Sequence, residues 1–224
     1  MTRSIKSVGI IMDGNRRWAK NRGVPSIEGH RAGYEKLKEV AGWARELNIR
    51  DVVVYGFSTE NWNRSEEEVA YLMNLLRTFL EKEITSLKKE RVRIKFAGQR
   101  ERFPEDIQKE MVRAETETAD GEYTLWLALS YGGRAEILHA VNHLIAEGKE
   151  VDEETFSRVL WTSKMPDPDI IIRTSGEQRL SGFLPWQSVY SELFFIESLW
   201  PEFSKNDLDG ILAEYEERER RHGK

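Results

Sequence analysis

Residues 8–18, Val-Gly-Ile-Ile-Met-Asp-Gly-Asn-Arg-Arg-Trp, decide how the chain is read. The run from 8 to 13 is short, mostly apolar and closed by an acid, which predicts a buried strand with a carboxylate at its tip. Asp13-Gly14-Asn15 is a turn-forming triplet, and Arg16 and Arg17 follow at once. Gly14 permits close backbone approach, and the N–H groups after it can cradle an anion. The same sequence of events recurs along the chain. Strands are predicted at 8–13, 51–58, 93–98, 124–131, 169–174 and 193–198. Val52-Val53-Val54 and Ile170-Ile171-Ile172 have no polar face at all, as expected of strands covered on both sides.

Helical periodicity fills the gaps. Over 65–90 the apolar positions Val69, Leu72, Met73, Leu76, Phe79, Leu80, Ile84 and Leu87 keep to one face. Ser65 with Glu68 reads as a capping box at its start. Further helices are predicted at 30–47, 104–119, 133–147, 153–161 and 205–220, the last capped by Ser204. The stretch 175–188 lacks periodicity and reads as a loop. This alternation predicts an α/β fold: one domain over residues 1–224, with a mostly parallel central sheet of about six strands flanked by helices.

Composition narrows the function. With 224 residues, 39% hydrophobic, seven Trp and nine Phe, the chain can build its own core. It has no cysteine, which excludes disulfide scaffolds, thiolate metal sites and cysteine nucleophiles. No apolar run approaches the length of a membrane span, and the first residues lack the apolar core of a signal peptide, so a soluble cytoplasmic protein is expected. The formal charge is −5, from 34 Lys and Arg against 39 Asp and Glu, which argues against a nucleic-acid partner. Yet residues 1–31 hold seven Lys and Arg against Asp13 and Glu28. A basic cluster on an acidic protein suits a small anion.

Ligands of parallel α/β sheets bind beyond the carboxyl ends of the strands. Tip one carries Asp13-Gly14-Asn15-Arg16-Arg17-Trp18. Tip two carries Ser58-Thr59-Glu60-Asn61-Trp62-Asn63-Arg64, a polar set richer than helix capping needs. Tip four carries Ser130-Tyr131-Gly132-Gly133-Arg134, and tip five Arg173-Thr174-Ser175-Gly176-Glu177, then Arg179 and Ser181. Each set alone is compatible with an ordinary turn. Together they point to a site for one or two phosphorylated ligands. The chain has neither a P-loop nor a GxGxxG dinucleotide fingerprint. His139 and His143 stand four apart without an intervening Glu and read as a plain helix face, which leaves His30, beside the basic cluster, as the one histidine of interest.

At these tips the chain resembles the cis-prenyltransferases of the undecaprenyl diphosphate synthase type. The matching stretches are IIMDGNRRWAKNRG (10–23), EGHRAG (28–33), YGFSTENWNR (55–64), SYGGRAEI (130–137), IIRTSGEQRLSGFLPWQSVYSELFF (171–195) and LWPEF (199–203). The resemblance implies an enzyme that joins isopentenyl diphosphate repeatedly to an allylic diphosphate primer, farnesyl or geranylgeranyl, and grows the cis chain in an apolar tunnel. It implies a long-chain product such as undecaprenyl diphosphate, a lipid carrier for cell-envelope glycans.

Residue by residue, the resemblance implies Mg²⁺ held by Asp13, with Glu192 as a second metal ligand. It implies an allylic diphosphate gripped by Gly14, Asn15, Arg16, Arg17 and His30, with Trp18 nearby. Asn61 matches the proton acceptor or its positioner. Ser58, Thr59, Glu60, Trp62 and Arg64 match a substrate-contacting loop, and Arg173, Arg179, Leu180 and Ser181 the isopentenyl diphosphate site. Ser26 stands where the family often has Arg, and Gln178 where bacterial members often have His. Arg221-His222-Gly223 resembles a tail that completes the partner's site, which implies a homodimer with at most peripheral membrane contact. Gly56 and Trp126 are candidates for setting product length. The competing reading, a non-catalytic accessory subunit, is disfavoured because Asp13, Asn61 and both arginine sets are present.

Overall fold

The computed structural model describes residues 5–218. Its sheet has six strands: β1 (Ser7–Ile11), β2 (Asp51–Ser58), β3 (Val92–Ala97), β4 (Tyr123–Tyr131), β5 (Ile170–Arg173) and β6 (Glu192–Phe195). They lie in the order β3-β4-β2-β1-β5-β6. Every pairing is parallel, so all six carboxyl ends face the same way. The chain leaves β1 to one side for β2 and returns on the other side with β5. A reversal of that kind opens a crevice at the tip of β1.

The expected burial on both faces holds. Val53, Val54, Ile170 and Ile172 have no exposed surface, because side chains of alternate residues enter different cores. One parity, including Val8, Ile10, Val54, Leu127 and Ile172, joins the main core. The other, including Val53, Trp126, Ala128 and Ile171, joins a second core with Tyr131, Phe183 and Leu184. The main core is closed by α2 (Ser26–Glu46), α3 (Glu66–Lys82), α5 (Glu105–Glu117) and α8 (Lys205–Glu217). A small third core joins α6 (Gly133–Ala146) to α7 (Glu153–Val159).

Four local expectations change. Residues 15–21 form a helix, α1 (Asn15–Asn21), rather than a bare turn. α2 begins at Ser26, four residues before the predicted start. The helix predicted over 65–90 is interrupted at Glu83, giving α3 and α4 (Ile84–Lys89). The break precedes the β-branched pair Ile84-Thr85, which weakens helical continuity. Ser65 accepts a hydrogen bond from the Glu68 N–H at 3.3 Å, but the Glu68 carboxylate turns elsewhere, so the box is half made. Ser204 and Asp207, by contrast, form a complete box at the start of α8.

Trp126 faces the second core and donates to Asp51 at 3.0 Å. It therefore lies across the sheet from the main-core cavity described below. A bulge in β2 after Tyr55 turns both Gly56 and Phe57 toward that cavity instead.

Candidate active site

The site starts where β1 ends. Gly14 has φ +112°, a conformation that side-chain-bearing residues rarely adopt, and a Cβ there would sit 3.1 Å from the Leu199 Cα. This turn starts α1 and leaves the Asp13 carbonyl pointing at two donors, the Trp200 N–H (2.9 Å) and the Thr174 hydroxyl (2.6 Å). α2 then presses against α1. Cβ atoms on Gly29 and Gly33 would fall 2.0 Å from the Asn15 carbonyl oxygen and 2.3 Å from Asn15 Oδ1, so the two glycines of EGHRAG are what permit the contact.

The Asp13 carboxylate accepts from Arg173 Nη2 at 2.9 Å and lies 3.8 Å from Arg17 Nη2. Burial alone would raise its pKa. Hydrogen bonds from Arg173 and Ser175 and the charges of Arg173 and Arg17 outweigh that and hold it below the ordinary value. Arg173 closes β5 and is only 4% exposed. Its Nη1 donates to Ser181 Oγ (2.7 Å) and to the Arg179 carbonyl, while its buried Nε has no partner. Arg173 thus links the tip of β1 to the 179–181 loop. Arg179 itself is exposed and paired with Glu177 at 2.5 Å, and Leu180 packs on the second core. Arg17 reaches Ser175 Oγ. Trp18 lies under the Arg22 guanidinium at 4.3 Å.

The second tip folds into a 3₁₀ turn over Thr59–Asn63. Asn61 Oδ1 accepts from the Ser58 N–H at 3.0 Å, so this oxygen holds the turn together. Trp62 donates to Ser130 Oγ at 2.9 Å and packs on Phe57 and Phe103. Thr59 lies against Gly132, where a Cβ would be 2.5 Å from its Oγ1, while Glu60 is exposed. Ser26 opens α2 one turn before His30, on the same face.

Arg64, His30 and Arg16 converge on Glu68. Its carboxylate lies 2.7 Å from Arg64 Nη1, 3.2 Å from His30 Nε2 and 4.0 Å from Arg16 Nε. Burial lowers the His30 pKa; Arg64 and Arg16 add to that effect, and Glu68 opposes it. The ring is therefore mainly neutral at pH 7.

Beside His30 and Asn15 a cavity of about 130 Å³ opens between α2, α3 and the sheet. Tyr34, Leu72, Leu76, Phe79, Leu127 and Leu129 give it an apolar wall. Its volume is several times the ~30 Å³ share of one water. His30 therefore belongs both to the charged cluster and, with Asn15, to the wall of the greasy cavity.

Not every predicted residue joins the cluster. Glu192 opens β6 in register with Ile170, at the amino end of the sheet, and accepts from Arg218 at 2.9 Å. Asp13 stands beyond the opposite end, more than ~10 Å away along the strand direction alone. Within the chain, then, Glu192 does not meet Asp13. Among the described residues no three His, Asp or Glu side chains gather to bind a metal. A single carboxylate one-third exposed, with both arginines on its Oδ2, does suit a cation completed by phosphate oxygens and water, as Mg²⁺ commonly is. Gln178 is exposed. Residues 221–223 lie outside the described residues.

Sequence reasoning read Glu68 only as a cap and Ser175 only as part of a strand tip, and it missed a closed network on β4 and α6. Glu136, wholly buried, accepts from the Tyr131 hydroxyl (2.6 Å), the Thr162 N–H and hydroxyl (3.0 and 2.8 Å) and Gln187 Nε2 (3.1 Å). Positive φ at Ser130, Ser175, Ser181 and Leu184 marks the same tips as strained.

A family model described as "Putative undecaprenyl diphosphate synthase" matches residues 11–223. The chain belongs to that family of prenyltransferases. It is 47% identical to an isoprenyl transferase of Thermotoga maritima, over 96% of this chain and 95% of that one. It is also 47% identical to a tritrans,polycis-undecaprenyl-diphosphate synthase, geranylgeranyl-diphosphate specific, of Thermococcus kodakarensis, over 98% and 87% of the two chains. Its fold matches a crystal structure of lavandulyl diphosphate synthase from Lavandula x intermedia in complex with dimethylallyl diphosphate. The TM-score is 0.93, with 35% identity over 99% of each chain. The chain is thus an enzyme of the isoprenyl transferase type. In this prenyltransferase no helix among the described residues is long and apolar enough to cross a membrane.

Proposed function

We propose that this prenyltransferase condenses isopentenyl diphosphate onto an allylic diphosphate, farnesyl or geranylgeranyl, and repeats the step to build a long Z-polyprenyl diphosphate. The observation that carries the reading is a shared wall: Asn15, two residues after Asp13, and His30, which meets Arg16 and Arg64 on Glu68, line the same cavity as Leu72, Phe79 and Leu127. Such a pairing fits an amphiphile with an anionic head and a hydrocarbon tail. The geranylgeranyl specificity named for the Thermococcus relative favours that primer.

The residues divide the work. Arg16, Arg17, the N–H groups after Gly14, and His30 receive the allylic diphosphate. As its C–O bond breaks, negative charge grows on the departing group, and preorganised arginines stabilise that charge. Arg173 and Ser181, with Arg179 at the entrance, receive the isopentenyl diphosphate. Because Arg173 also holds Asp13, the two heads are fixed relative to each other, which supplies the proximity a two-substrate reaction needs. Asn61 keeps the 58–64 turn in shape and presents its amide toward the reacting end. Asp13 is the residue that would hold Mg²⁺ against the diphosphate, where the cation would neutralise charge on the leaving group. Each five-carbon unit that enters the cavity gains roughly 4 kcal/mol from burial, at about 0.8 kcal/mol per carbon. A tail far longer than a 130 Å³ space requires α2 and α3 to part further into a tunnel. In this reading the enzyme works in the cytoplasm as a homodimer, touches the membrane only through its product, and supplies a lipid carrier for cell-envelope glycans.

Radiolabelled isopentenyl diphosphate tests this directly. The purified chain is assayed with farnesyl or geranylgeranyl diphosphate, with Mg²⁺ or EDTA, and products are resolved by length. Label in a polyprenyl product that EDTA abolishes is the expected result. No incorporation with either primer by a folded dimer would defeat the proposal and favour an accessory subunit.

A further inference from the structure

The Glu68 carboxylate sits where the proposed allylic diphosphate should find only cations. It is a carboxylate on the first turn of α3, 14% exposed at its side chain, and it engages groups from three other segments. Arg64 directly follows the 3₁₀ turn, His30 comes from α2 and Arg16 from α1. Arg16 and His30 are the contacts assigned above to the allylic diphosphate, and Arg64 belongs to the substrate-contacting loop beside them. Glu68 is not needed to cap α3 by its side chain, since only its N–H takes part in the cap. Nor does it neutralise a buried cation that would otherwise be stranded. Arg16 is 62% exposed, Arg64 is 28% exposed, and His30 is mainly neutral. A carboxylate so placed holds the basic groups together and repels a second anion that comes to them.

We propose that Glu68 is a positioning residue that acts as an internal competitor for diphosphate: it presets Arg16, His30 and Arg64, and it hastens release of the inorganic diphosphate left after each condensation. The inference rests on the allylic site assigned above. Its logic is that of a repeating reaction. The leaving diphosphate must vacate the cluster before the elongated chain can dock its own head there. A site built only of cations would hold that product tightly. A tethered carboxylate offers Arg64 and Arg16 an alternative partner at no translational cost, so it lowers the barrier to exit. Removing the charge while keeping the shape should therefore tighten binding, the reverse of what loss of a merely structural contact does.

The test uses the full chain and inorganic diphosphate, titrated calorimetrically without metal, alongside steady-state kinetics with the allylic primer. Glu68→Gln keeps length and an acceptor oxygen, Glu68→Ala removes both, and Glu68→Asp keeps the charge. Gln and Ala are expected to bind diphosphate about fivefold tighter or more, since each deletes a negative charge within a few ångströms of the anion. Their KM and kcat are expected to fall together, with slowed diphosphate release in single-turnover experiments. The Asp variant should stay within about twofold of the unsubstituted protein. Weaker diphosphate binding in Gln and Ala, a raised KM with unchanged kcat, or equal tightening by Asp would overturn the inference. If instead the unsubstituted chain neither binds diphosphate nor turns over primer, the assignment of the site itself has failed.

Discussion

Two carboxylates stand beyond strand tips of the same sheet, and they keep opposite company. Asp13, after β1, has a side chain one-third exposed and two arginines within 4 Å. Glu136, after β4, has no exposure and is held by a tyrosine, a threonine and a glutamine, all uncharged. The first is an open assembly of charges in which one partner can be exchanged for a ligand. The second is closed, with its four hydrogen bonds made by the protein itself. The difference separates an acid that can exchange a partner from one that cannot. An open, cation-lined carboxylate can take up a metal or a phosphate, whereas a sealed one joins elements. Glu136 ties α6 to Thr162 and to Gln187 in the segment after β5. That segment also brings the Gly182 carbonyl onto the Gly133 N–H at 2.8 Å.

The largest effect should come from opening the closed tip. Glu136→Ala leaves the Tyr131, Thr162 and Gln187 donors buried without an acceptor, at about 3–5 kcal/mol in total. Chemical denaturation should report that loss, with the melting temperature down by roughly 10 °C. A stability change under 1 kcal/mol would erase the contrast between the tips. The mirror experiment is Asp13→Ala, which should cut turnover by at least ~10²-fold while leaving a folded protein, read by radiolabel incorporation and circular dichroism. Near-normal turnover would break the assignment of Asp13.

A third test separates the two faces of the sheet. A Cβ on Gly56 would meet Leu129 Cδ2 at 2.9 Å at the cavity wall. Gly56→Val should therefore shift products to shorter chains on reversed-phase analysis. Trp126→Phe, across the sheet, should leave product length unchanged.

The smallest effect concerns His30. Burial holds its folded-state pKa below the ordinary value of 6.5, so the unfolded chain takes up a proton first as pH falls. Its contribution to stability is whole above 6.5 and is lost on acidification toward the folded value. Melting temperatures measured between pH 7 and 5 should fall more steeply for the unsubstituted protein than for His30→Gln. Identical slopes would show that the ring titrates without strain.

The strands were legible because each is a short apolar run bounded by turn residues, and VVV and III can only be covered on both faces. The tips were legible because polar residues pile up where those runs stop. α1 was not, since Gly-Asn-Arg-Arg is as ordinary in a turn as in a helix start. What makes it helical is the packing of Gly29 and Gly33 on Asn15, a contact between separate elements. Glu68 was read as a cap because Ser65 stands only three residues before it. Its actual partners include His30, 38 residues distant.

Sequence alone determined the class of sheet, the number of its strands and the tips at which polar and basic residues gather, because hydrophobic period and residue charge are local properties. Only the tertiary structure decided that Arg173 bridges Asp13 to Ser181 across 160 residues, that Trp126 turns away from the cavity while Gly56 faces it, and that Glu192 stands at the far end of the sheet. Those outcomes depend on strand order, on one bulge and on the register of β6. Each is fixed by the packing of the whole core, and no short window of sequence carries it.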